Sequence, residues 1–117
     1  MQHGWKLFLL LMFLAVVAAF PASATSGPTR QTLTGVVSDA ACGIQHTMMP
    51  GPADQCTREC VKRGAKYILV IADKIYVLNT TDKDILAVLD QQAGKQVTVT
   101  GMVNGVAVAV EKVVTAK

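Results

Sequence analysis

QVTVTGMVNGVAVAVEKVV, residues Gln96–Val114, is the stretch whose reading decides the fold. Val97, Val99, Gly101 and Val103 recur at every second position, so they share one face of a strand. Asn104-Gly105 follows, and both residues accept positive φ, which predicts a tight hairpin. Val106, Val108 and Val110 alternate, but the pattern then slips out of phase to Val113. A period of two cannot slip without an extra residue, so a β-bulge is expected near Glu111-Lys112.

Upstream of this hairpin, Thr81–Asp84 reads as a variant capping box. The helix it opens places Ile85, Val88 and Leu89 at helical spacing, and Gly94 closes it. Before it, Tyr67–Ile71 (YILVI) and Ile75–Leu78 (IYVL) are two apolar strands joined tightly through Ala72-Asp73-Lys74. Further back, Thr32–Val37 (TLTGVV) is a β-branched strand interrupted by Gly35, which marks a bulge or a sharp bend. This strand echoes Thr98–Val103 (TVTGMV), an indication of two strands that bend at equivalent glycines.

Between the first and second strands lies Ser38–Gly64, SDAACGIQHTMMPGPADQCTRECVKRG. Met49-Pro50-Gly51-Pro52 breaks regular structure. A helix is expected from about Pro52 to Arg63, with proline at its first position and Gly64 at its end. The order is therefore strand, helical insertion, strand, strand, helix, strand, strand. That is a mostly β fold: an OB-like five-stranded Greek-key barrel, with a Cys-bearing helix between strands 1 and 2 and a second helix between strands 3 and 4. A five-stranded half-barrel closed differently is the alternative.

The elements TGVVSDAACG, QHTMM, CTRECVKRGAKYILV and KQVTVTG resemble a family of small exported bacterial proteins of unknown function, with a barrel-like fold and a CGxxH…CxxxC segment. The resemblance spans most of the chain after its leader. It implies a fold and a location, and it implies no activity.

The leader itself is read from the residues. Lys6 precedes the apolar run Leu7–Phe20, and Ala22-Ser23-Ala24 matches a small-residue cleavage pattern. The run is shorter than the roughly 20 apolar residues of a membrane span. We expect a signal peptide at 1–24, a disordered lead-in at 25–31, and a barrel domain at 32–117 carrying the Cys/His insertion 38–64. The product would be periplasmic or extracellular, with no stable membrane anchor after cleavage. Cleavage removes Trp5, every Phe and His3, leaving Tyr67, Tyr76 and His46.

All three cysteines, Cys42, Cys56 and Cys60, fall in the insertion, together with His46. Cys56 and Cys60 are four residues apart, so on a helix they share a face. Three thiolates and one imidazole can make a closed tetrahedral zinc site, although C-x3-H-x9-C-x3-C is not a common zinc-finger spacing. Arg58, Lys62 and Arg63 are near enough in sequence to offset its charge. Met48 and Met49 beside His46 introduce Cu(I), which favours soft ligands, though methionines also fill irregular apolar gaps. In an oxidising compartment, Cys42 could instead pair with Cys56 or Cys60 and leave one thiol over. A Cys56–Cys60 bond within one helix would be strained. A Cys42–His46 pair could also make the thiol a nucleophile. Asp39, the nearest carboxylate, reads as a turn-former after the strand.

Scattered Lys and Arg on a weakly positive chain, with two tyrosines as its remaining aromatics, argue against a nucleic-acid partner. Two functional readings stand. One is a Cys/His centre that binds a soft metal, Zn or Cu, or is thiol-active. The other is a disulfide-stapled, non-enzymatic module whose barrel face near Tyr67 and Tyr76 meets a small ligand or an exported protein.

Overall fold

The computed structural model describes Pro21 and residues 27–45 and 51–116. Five strands form a closed barrel: β1 (Thr29–Asp39), β2 (Tyr67–Ile71), β3 (Lys74–Asn79), β4 (Gln96–Asn104) and β5 (Ala107–Thr115). Helix α1 (Ala53–Lys62) lies between β1 and β2, and α2 (Lys83–Gln91) between β3 and β4. Around the barrel the order is β1-β2-β3-β5-β4. All neighbours are antiparallel except β3 and β5, whose short parallel pairing through Leu78↔Val108 closes the circuit. This is the expected OB-like architecture, with both helices between the expected strands. No helix among the described residues is long and apolar enough to cross a membrane.

β1 begins at Thr29 rather than Thr32, so Thr29, Arg30 and Gln31 belong to the strand and not to a lead-in. Their backbone groups pair with Val103, Met102 and Gly101 of β4, which is reason enough for them to be extended. The other leader residues expected at 1–24, apart from Pro21, lie outside the described residues.

The echo between TLTG and TVTG has a geometric meaning. β1 and β4 are antiparallel, with Leu33 opposite Val99, Thr32 opposite Thr100 and Thr34 opposite Thr98. The two repeats thus cross at Leu33/Val99 as if related by a local two-fold axis. The outward threonines pair hydroxyl to hydroxyl at 3.2 and 3.0 Å. The glycines then fall at opposite ends of the crossing, and each is a corner of the barrel. Just after Gly35, at Val36, β1 hands its pairing over from β4 to β2. A Cβ at Gly35 would sit 2.5 Å from the Val70 carbonyl oxygen. At Gly101, β4 meets the bulge of β5, and a Cβ would collide with the Ala109 carbonyl oxygen. The bulge is where the valine phase slip puts it: Gly101 pairs with Val110 and Thr100 with Lys112, leaving Glu111 as the extra residue.

The valines decide the core. Val97, Val99 and Val103 are buried on β4, facing Val108 of β5, Leu69 of β2 and Leu89 of α2. Two turns differ from expectation by one residue. The β4–β5 loop is Gly105-Val106, with Asn104 still paired to Ala107, and only Gly105 has positive φ. The cap of α2 is Asp82, which accepts from the backbone N–H of Asp84 and Ile85. Thr80 in turn accepts from the Asp82 N–H.

Tyr67 ties the barrel to α2. Its hydroxyl donates to Asp90 Oδ1 at 3.3 Å, and burial followed by the Asp90 charge pushes the phenol up from 10.0 to about 12. The unfolded chain releases this proton near pH 10, whereas the folded chain keeps it until about 12. Across that window the native state holds more protons, so stability falls as pH rises. Tyr67→Phe is expected to remove this part of the slope, measured as the difference between the two proteins in urea midpoints from pH 9 to 12. Gly101→Ala is expected to cost about 1–3 kcal/mol or more, as overpacking does. Thermal unfolding should show it as a loss of at least about 4 °C.

Candidate metal centre

The inward positions of β1 run Leu33, Gly35, Val37 and then Asp39. A carboxylate therefore occupies the last inward position of a buried strand end, opposite Tyr67 of β2. Asp39 is fully buried. Its Oδ2 accepts the backbone N–H groups of Ala41 at 3.0 Å and Cys42 at 2.9 Å. That is the turn-forming role expected of it. Gly43 N–H donates to the Asp39 carbonyl, and the Ser38 hydroxyl donates to the Gly43 carbonyl. The loop is thus folded back so that Cys42 sits over the strand end.

α1 supplies the other sulfurs and packs against β1. Pro52 stands at its N-cap rather than at its first helical position as expected, and Arg63 at its C-cap. Its buried residues are Cys56, Thr57 and Cys60. The helix is held from outside by Arg58, whose guanidinium pairs with Asp54 at 2.7 Å and donates to the Asp90 carbonyl at 2.9 Å. Lys62 pairs with Glu59 at the surface. These two cations are therefore occupied elsewhere and do not offset the charge of the cysteine cluster as expected.

The three sulfurs converge. Cys42 Sγ lies 2.8 Å from Cys56 Sγ and 3.6 Å from Cys60 Sγ. One ligand oxygen of Asp39 and the three sulfurs all lie within 4.8 Å of one another. All three thiols are free. They form a small buried cluster of their own, with Ala65 packed against it. A tetrahedral zinc with Zn–S bonds of about 2.3 Å would set its sulfurs about 3.8 Å apart. The Cys42–Cys60 separation is close to that, and Cys42–Cys56 would open by roughly 1 Å. A buried Asp/Cys3 set of this size could hold a metal ion.

The fourth expected donor, His46, lies outside the described residues, as do Met48 and Met49. Sequence reasoning passed over Asp39 as a ligand. The signal was present, because the alternation of β1 carried one step past Val37 points Asp39 inward. It was hidden by the sufficiency of the turn reading, which one carboxylate oxygen alone fulfils.

The electrostatics oppose a reactive thiol. Burial pushes Cys42 well above the usual thiol range, and its hydrogen bonds to Cys56, Cys60 and Asp39, followed by the Asp39 charge, push the same way. Burial also raises Cys60, more than its hydrogen bond to Cys42 lowers it. Protonated, buried thiols are poor nucleophiles. A divalent ion reverses this balance, because it deprotonates the sulfurs it binds.

Two buried oxygens have no hydrogen-bond partner among the described residues, Asp39 Oδ1 and Thr57 Oγ1. The thiols of Cys42 and Cys60 are the side-chain groups that interact with the Asp39 carboxyl, so a carboxyl oxygen and three sulfurs share one buried volume. Both of those oxygens belong to residues at the cluster: Asp39 is one of its donors and Thr57 follows Cys56 on α1. No family model, curated protein or solved structure matches the chain, which leaves the geometry of this Asp/Cys3 cluster as the ground for its functional reading.

Proposed function

We propose that the protein is an exported zinc-binding barrel whose ion is held by Cys42, Cys56, Cys60 and Asp39. The observation that carries this reading is the fully buried Asp39 carboxylate within 4.8 Å of three free thiols that all lie within the same distance of one another. A closed set of four protein ligands suits a structural zinc, since catalytic zinc keeps one position open. The carboxylate also favours zinc over Cu(I), which selects sulfur donors. The ion would join the β1 end, the following loop and α1, which otherwise share a small apolar contact. In a domain of this size such a staple contributes a useful share of stability. Export rests on the leader pattern of residues 1–24 and on the resemblance to small exported proteins.

One observation favours a second reading. Cys42 and Cys56 are the nearest sulfur pair, and their oxidation would close a loop over the insertion. A loop of that length stabilises by about 3 kcal/mol in the chain-entropy account. Oxidation would also remove two of the three sulfur donors, so the two readings exclude each other on one molecule.

Native mass spectrometry of the protein recovered from the periplasm separates them. The zinc reading expects one zinc per chain and a mature N-terminus at Thr25. Cys60→Ser and Asp39→Asn should each weaken zinc by more than the roughly 10–100-fold typical of an outer-shell change. His46→Ala should keep the ion. A mass short by two hydrogens with no zinc uptake would overturn the reading in favour of the staple. Zinc at a hundredfold excess over its Kd is expected to add about 2.7 kcal/mol, seen as a Tm rise of roughly 10–20 °C. The apo thiols hold their protons, so zinc uptake should release protons and weaken as pH falls.

A further inference from the structure

A second feature lies at the C-terminal end of α1. A hollow of about 510 Å³ opens between the end of α1, the paired strands β2 and β3, and the start of α2. Its walls are apolar: Val61, Ala65, Tyr67, Leu78 and Leu86. Leu78 and Tyr67 are buried, while Val61 and Leu86 are half-buried, so the hollow exposes the edge of the core. The Tyr67 hydroxyl is committed to Asp90, which leaves its ring as the part that serves as wall.

Polar groups collect at one rim. Lys66, Asn79, Thr80 and Thr81 line the same hollow. The Lys66 ammonium donates to Asn79 Oδ1 at 2.9 Å. That bond uses the acceptor of the Asn79 amide and leaves its NH₂ as donor. The ammonium has three hydrogens and spends one on Asn79. Among the described residues, Lys66 is the only charged one in the lining, and no carboxylate lines the hollow. An apolar floor with donors gathered at one edge under a single positive charge is complementary to one class of ligand.

We infer that this hollow binds a small amphipathic monoanion, an aliphatic or aryl carboxylate, with its tail on Leu78 and Leu86 and its headgroup at Lys66 and Asn79. The volume is within the range of small-molecule sites, which pair mostly apolar walls with a few placed polar groups. The carboxylate gains a charge-assisted hydrogen bond from Lys66, stronger than a neutral one. The tail gains burial that free chain ends lack in water. None of this depends on the zinc reading, because no donor of the Asp/Cys3 cluster lines the hollow.

The test is an NMR titration of the purified protein with octanoate, and with octanol and octylamine as probes of charge. Octanoate is expected to saturate with a Kd on the order of 0.1–1 mM, shifting Val61, Leu78 and Leu86. Octanol should bind about tenfold more weakly, and octylamine more weakly still. Lys66 is exposed, so Lys66→Gln should leave the fold intact and weaken octanoate about tenfold. Leu86→Asn should weaken octanoate and octanol alike. The inference is overturned if octanol binds as tightly as octanoate, if Lys66→Gln binds like the parent, or if no saturation is seen.

Discussion

A carboxylate taken fully out of water must be paired with something, and in this protein that requirement shapes the end of β1, the loop after it and its junction with α1. Asp39 reaches its position because β1 keeps its alternation to the last residue. One oxygen then dictates the loop, by accepting two backbone N–H groups that turn the chain back over the strand. The other oxygen is left among thiols. The loop, the helix and the strand end are therefore not three features that happen to be adjacent. Each meets the others around the same buried carboxyl group, in a set of donors that could hold a metal ion.

The barrel beneath is set by simpler means. Its corners are the two glycines of the TLTG and TVTG segments, and its wall is the valine series of β4 and β5. The two sets of residues act in different ways. Valines supply burial that tolerates modest repacking. The glycines stand where the carbonyls of Val70 and Ala109 come too close for any side chain. The closing seam of β3 on β5 is the shortest contact in the circuit, three residues opposite three. Closure thus depends on the corners holding the longer strands at the right angle.

Much of this was legible in the residues, for a physical reason that also marks where legibility ended. Strand alternation is a local property, so the valine phase slip placed the bulge at Glu111. The convergence of Cys42 on Cys56 and Cys60 followed from helical spacing and a short loop. What escaped were matters of a single hydrogen bond. Asn104-Gly105 was read as the loop, but Asn104 retains its pairing with Ala107 and the turn moves on by one. Thr81 looked like the cap of α2, but Asp82 has the carboxylate that reaches the first N–H groups. Asp39 was the costliest oversight. Its burial involves α1 packed on β1, a tertiary contact that strand alternation alone does not reveal. The expected use of Arg58 failed likewise, since its partner carbonyl belongs to Asp90 on α2.

The crossing of the two threonine-glycine segments has a consequence in time. Thr32 meets Thr100 across 68 positions of chain, and Thr34 meets Thr98 across 64. The first strand therefore waits, one edge unsatisfied, until almost the last one has been made. Such distant pairing is slow, because the ends of a long loop must meet before any contact rewards them. During that interval, the nearest structure Asp39 and Cys42 can form is with the helix that follows them directly. The cysteine-bearing cap is thus able to assemble ahead of the barrel, whose circuit closes only when β5 meets β3.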